Sequence, residues 1–107
     1  MKNNQEKFNI LRKIVNNPHS TQRELAQDLN LSLGKLNYCM KSLRDKGLVK
    51  IKNFKKNPRK INYFYILTPK GLAEKTKLTI NFMKRQMNEY EELKKELKVN
   101  DVDINKV

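Results

Sequence analysis

The chain has 107 residues and a net charge of +13, from 24 Lys and Arg against 11 Asp and Glu. That is enough for one modest core and gives a strong attraction to polyanions, and it leaves little room for a multidomain enzyme. Cys39 and His19 are the only residues of their kinds, which excludes a disulfide framework or a zinc site of several Cys and His ligands within one chain.

Residues 5 to 17 carry Phe8, Leu11, Ile14 and Val15 toward one side and Lys7, Arg12 and Lys13 toward the other. This spacing predicts an amphipathic helix, which Pro18 ends. Thr21 and Glu24 have capping-box spacing ahead of a short apolar face of Leu25, Ala26 and Leu29. Asn30 suits the left-handed residue that closes a helix, and Ser32 suits the cap of the next. Only a tight turn then separates the second and third helices, which is a helix-turn-helix arrangement.

The third helix is expected from about Leu33 to Lys46, with Leu36, Cys39, Met40 and Leu43 inward, Lys35, Asn37, Tyr38 and Lys41 outward, and Gly47 as its stop. Cys39 reads as a small core residue ahead of a redox thiol. Strands are expected over 48–54 and 62–67. Between them Lys55, Lys56, Asn57, Pro58, Arg59 and Lys60 read as a basic hairpin loop.

Thr68 and Pro69 suit the cap and first position of a long helix running to about Lys98, on the order of 45 Å. Ile80, Met83, Met87, Tyr90, Leu93 and Leu97 form an apolar stripe along it. The stripe suits a dimer coil, and it also suits packing on its own domain, a role that Leu78 and Phe82 on a neighbouring face can take. The last residues, 100–107, read as a frayed tail. No apolar run approaches the roughly 18 residues of a membrane span. The opening residues lack a signal-peptide core, so a soluble cytoplasmic protein is expected.

The fold class expected is mainly α with a small β-hairpin (α+β): a winged helix-turn-helix over 1–71, then one long C-terminal helix over 72–99. Charge follows the same division. Residues 1–71 hold 16 basic and 4 acidic side chains, net +12, and the remainder is nearly balanced at +1. Such asymmetry points to nucleic acid on the winged part. A helix fits the major groove, where Asn pairs two-pronged with adenine and Lys reaches guanine or phosphate. The candidate DNA-contacting residues are Ser32, Gly34, Lys35, Asn37, Tyr38 and Lys41 on the third helix. Thr21 and Gln22 at the second helix start and Lys55, Lys56, Arg59 and Lys60 on the wing complete the set. No cofactor, metal site or catalytic constellation is indicated, and the three glycines are too scattered to cradle a phosphate.

These residues carry a resemblance. The runs Gln22-Arg23-Glu24-Leu25-Ala26, Leu31-Ser32-Leu33-Gly34-Lys35, Asn37-Tyr38, Lys46-Gly47-Leu48-Val49-Lys50 and Tyr63 through Gly71 resemble the MarR-type winged-helix regulators, in particular the subgroup associated with bacterial exopolysaccharide loci. The resemblance reaches to about Leu97. It implies a transcriptional regulator binding double-stranded DNA as a homodimer, often at a pseudo-palindromic operator. Larger relatives use additional terminal helices to build the dimer and frame a pocket for small anionic effectors. One long helix in their place leaves dimerisation to that helix and weighs against an effector pocket. The alternative is a winged helix that docks RNA or protein, because the fold does not fix the partner.

Overall fold

The computed structural model describes residues 4–57 and 60–100, with the side chains of 54–62 outside that description. The elements run α1 (Asn4–Asn16), α2 (Gln22–Asp28), α3 (Leu33–Asp45), β1 (Val49–Asn57), β2 (Lys60–Leu67) and α4 (Pro69–Val99). The chain divides into two compact units, one through residue 76 and one from residue 77.

Local chemistry sets the helix ends. Thr21 accepts a hydrogen bond from the Glu24 amide at 3.2 Å, and Ser32 accepts one from the Lys35 amide at 3.1 Å. Each satisfies a donor that has no partner inside its helix. At the other end of α2, Asn30 adopts φ 56° while its amide bonds Gln27 O and the Leu31 amide bonds Ala26 O. The end of α3 repeats this with Gly47 at φ 73°, its amide bonding Arg44 O and the Leu48 amide bonding Leu43 O. Both are Schellman closures, so the turn between α2 and α3 and the exit from α3 have fixed directions.

The core of the first unit comes from three helices and the head of the wing. Phe8, Ile10, Leu11 and Ile14 of α1 are buried, with Leu25 and Ala26 of α2, Leu36, Cys39, Met40 and Leu43 of α3, and Leu48 and Val49. The inward set on α3 is the one its spacing predicts. On α1 the apolar face is rotated from expectation: Val15 is 41% exposed and Ile10 is fully buried. Ile10 and Val15 flank the stripe of Phe8, Leu11 and Ile14, and neighbouring elements decide which edge is covered.

β1 and β2 pair antiparallel from Val49↔Leu67 out to Asn57↔Lys60, with an irregularity between Lys55 and Asn57. Both strands are longer than the sequence indicates, which corrects the loop expected over 55–60. Lys55, Lys56 and Lys60 lie in the strands, with Lys55 opposite Ile61 and Lys60 opposite Asn57, because the ladder is made by backbone groups that Lys carries as Val does. Pro58 and Arg59 fall outside the described residues.

The start of α4 is bound closely to the end of α3. Thr68 donates its amide to Leu48 O at 3.0 Å and its hydroxyl to Gly47 O, while its hydroxyl oxygen accepts from the Gly71 amide at 3.0 Å. A Cβ on Gly71 would lie 1.9 Å from Leu48 O, so only glycine allows this approach. Lys7 of α1 also bonds Glu74 at 2.9 Å. No described helix is long and apolar enough to cross a membrane.

Along α4 in the second unit, Ile80, Met83, Met87, Tyr90 and Leu93 are all exposed and Leu97 is half-buried. Leu78 is buried. The tail from 101 onward lies outside the described residues.

Candidate nucleic-acid interface

The outward face of α3 is set by the same 3.6-residue period that buries Leu36, Cys39, Met40 and Leu43. Lys35, Asn37, Tyr38 and Lys41 are all exposed, as are Ser32 and Gly34 at the helix start. Tyr38 is 61% exposed, unusual for a side chain of its size. Nothing lies within 4 Å of the Cβ position of Gly34, so the backbone there is open to close approach.

Lys35 is held in two ways. Its ammonium lies 3.6 Å from Glu6 Oε1 of α1 and 5.8 Å from the centre of the Tyr38 ring. Both contacts are weak at this exposure, and they leave the cation on the outer surface. The Glu6 carboxylate also accepts from the Cys39 thiol at 2.9 Å. Burial, reinforced by that hydrogen bond and by the Glu6 charge, pushes the Cys39 pKa from 9.0 to about 11. A buried thiol raised in this way is a poor nucleophile, so Cys39 acts as a core residue.

A second cluster joins three elements. Gln22, the first residue of α2, donates through Nε2 to Asn37 Oδ1 on α3 and to the Tyr65 hydroxyl on β2, the latter at 2.8 Å. Burial pushes the Tyr65 pKa up, while the Gln22 hydrogen bond and the positive charge of Arg44 pull it the other way. The hydroxyl therefore stays protonated at neutral pH. Gln22, Asn37, Met40, Lys41, Arg44, Asp45 and Tyr65 line an open groove of about 420 Å³.

Sequence reasoning missed Tyr65 and Arg44 in this place. Arg44 was detectable, because positions 37, 41 and 44 follow the helical repeat that carries the outward face. Tyr65 was not, since its partner lies 43 residues away. Thr21 is occupied in capping α2 and in a 3.2 Å hydrogen bond to Glu24 Oε1. His19 adopts φ 70° and packs its ring 4.5 Å from that of Phe64, at the base of the wing. The side chains of Lys55, Lys56, Arg59 and Lys60 lie outside the described residues, so the wing is placed by its backbone alone.

Residues 7–50 match the family model of winged helix-turn-helix DNA-binding domains. No curated protein matches by sequence. Among solved structures, a MarR family transcription regulator superposes with a TM-score of 0.71 at 22% identity, covering 89% of this chain and 65% of that one. Staphylococcus aureus MarR, solved with salicylate and kanamycin, gives 0.67 at 20% identity, covering 89% and 67%. The Mycobacterium tuberculosis regulator MosR in complex with DNA gives 0.63 at 25% identity, covering 78% and 58%. The chain thus has the MarR-like fold and spans about two thirds or less of the length of these neighbours.

Proposed function

We propose that the protein is a sequence-specific, double-stranded DNA-binding transcriptional regulator of the MarR type, with a regulatory and not a catalytic role. The observation that carries the reading is the outer face of α3. It presents two lysines, an asparagine and a tyrosine to solvent on a helix-turn-helix whose turn and whose exit from α3 are each fixed by a Schellman closure. In this reading α3 lies in the major groove. Lys35, Asn37, Tyr38 and Lys41 contact base edges there, and Ser32 and Gly34 allow the helix start to come close.

Thr21 and Gln22, with Lys55, Lys56, Arg59 and Lys60 of the wing, are assigned to the sugar-phosphate backbone or, for the wing, the minor groove. The stretch 72–99 pairs two copies into a homodimer through Ile80, Met83, Met87, Tyr90, Leu93 and Leu97. The exposure of the first five along one helix supports this. By its motifs we assign the chain to the exopolysaccharide-associated subgroup, and a cytoplasmic location is part of the same proposal.

Selection of bound duplexes from a random pool tests the function directly. A palindromic consensus is the expected product, since a two-fold protein reads two half-sites. With about six phosphate contacts, log K should fall against log salt with a slope near −5. Enrichment of no sequence, or preference for single-stranded or A-form RNA, would replace this reading with an RNA-binding or protein-docking role.

A further inference from the structure

We propose that Tyr65, acting through Gln22, is a positioning residue that holds the Asn37 side-chain amide in place for a base. The inference rests on the DNA-reading function proposed above. It adds a residue of the wing strand to the machinery of sequence choice.

An asparagine amide presents one acceptor and one donor, and adenine is matched in only one order. An unrestrained amide can rotate and offer either order. Here Gln22 spends both hydrogens of its Nε2 at once, on Asn37 Oδ1 and on the Tyr65 hydroxyl. Asn37 turned alone would aim its own NH2 at the NH2 of Gln22, donor against donor, so it reverses only if Gln22 turns with it and the Tyr65 hydroxyl donates instead of accepting. Holding Oδ1 toward Gln22 directs Nδ2 away from it, and the second lone pair of Oδ1 is still able to accept from a base.

Tyr65 is the fixed point of this chain. It sits within the paired ladder opposite Ile51, whereas Gln22 and Asn37 reach the cluster on flexible or exposed side chains. Without the hydroxyl, one hydrogen of the Gln22 amide loses its partner and both side chains lose their anchor on the wing. Such second residues commonly decide how well a contacting group is aimed.

The experiment is random-pool selection with the full chain as wild type, Tyr65→Phe, Gln22→Glu, Asn37→Ala and the double variant Tyr65→Phe/Asn37→Ala. In Tyr65→Phe the preference at one base pair per half-site should fall roughly three- to tenfold, a part of what a good two-pronged contact supplies. Preferences elsewhere in the site should hold. Gln22→Glu can only accept, so it turns the Asn37 amide round and changes which base is favoured at that position. In the Asn37→Ala background, Tyr65→Phe should have no further effect there. The inference is overturned if Tyr65→Phe keeps the wild-type profile, weakens all positions equally, or acts undiminished without Asn37. A wild type that enriches no sequence overturns the DNA-reading function and this inference with it. A wild type that enriches a site which neither Tyr65→Phe nor Gln22→Glu alters overturns only the inference. If Tyr65→Phe fails to fold, Gln22→Glu still decides, because a change in the favoured base is not produced by loss of stability.

Discussion

The two units use the same apolar alphabet in opposite ways. Through residue 76, apolar side chains at helical spacing are buried, with Ile10, Leu11, Leu36 and Leu43 fully enclosed. From residue 77, Leu78 is buried but the stripe from Ile80 to Leu93 stays open, and Met87 is 64% exposed. A helical stripe identifies a face that needs covering. It does not say whether the cover is the same chain or another one. In the first unit three short helices and a hairpin cover one another, whereas a long single helix cannot cover itself.

The widest separation between the units should come from matched truncations. Leu36→Ala opens the core and should cost about 2–5 kcal/mol in urea or thermal melting. Met87→Ala should change melting of the winged part by less than about 0.5 kcal/mol and weaken self-association in light scattering by roughly tenfold or more. A monomer at tens of micromolar would break the second half of the comparison, leaving the stripe for a different protein.

Gly71 and Gly34 give a sharper test within the first unit. Gly71→Ala drives a methyl into the Leu48 carbonyl, and destabilisation of about 1–3 kcal/mol or more is expected. Gly34→Ala meets open space and should be neutral or stabilising by up to about 1 kcal/mol, since alanine favours the helix. Equal effects would mean that the joint between α3 and α4 is looser than described.

Cys39 adds a pH dependence. Its pKa in the folded chain is raised from 9.0 to about 11, so the folded state holds a proton that the unfolded state has released between those values. The associated stability is present below pH 9 and is lost as pH rises toward 11. Melting of wild type and Cys39→Ala across that window should show the wild type losing more. A small effect is also expected from Glu74→Gln, which removes the partner of Lys7. A loss of about 1 kcal/mol or less would fit a partly exposed pair, and it should shrink in high salt if charge is the cause.

What the sequence made legible was what neighbouring residues decide. Thr21, Asn30, Ser32 and Gly47 act within a turn of themselves, and their cap roles follow from side-chain chemistry alone. The outward set on α3 follows from the period that buries Leu36 and Met40. Distant pairings were not legible. The tie from Gln22 to Tyr65 crosses 43 residues, and the fit of Gly71 against Leu48 depends on a hairpin closing between them. Strand length was not legible, because Lys and Asn favour loops by residue type while the ladder through Lys55 and Lys60 answers to backbone hydrogen bonding.

That hairpin also bears on the order of folding. Pairing Val49 with Leu67 brings Leu48 beside Thr68, so the bond from the Thr68 amide to Leu48 O extends the ladder with almost no further loop to close. Thr68 then caps the first turn of α4, the step at which a helix is most expensive to start. The paired wing thereby places the cap from which the long helix starts. A slip of one residue in its register would withdraw the cap and shift Gly71 away from the only place where its missing side chain is needed.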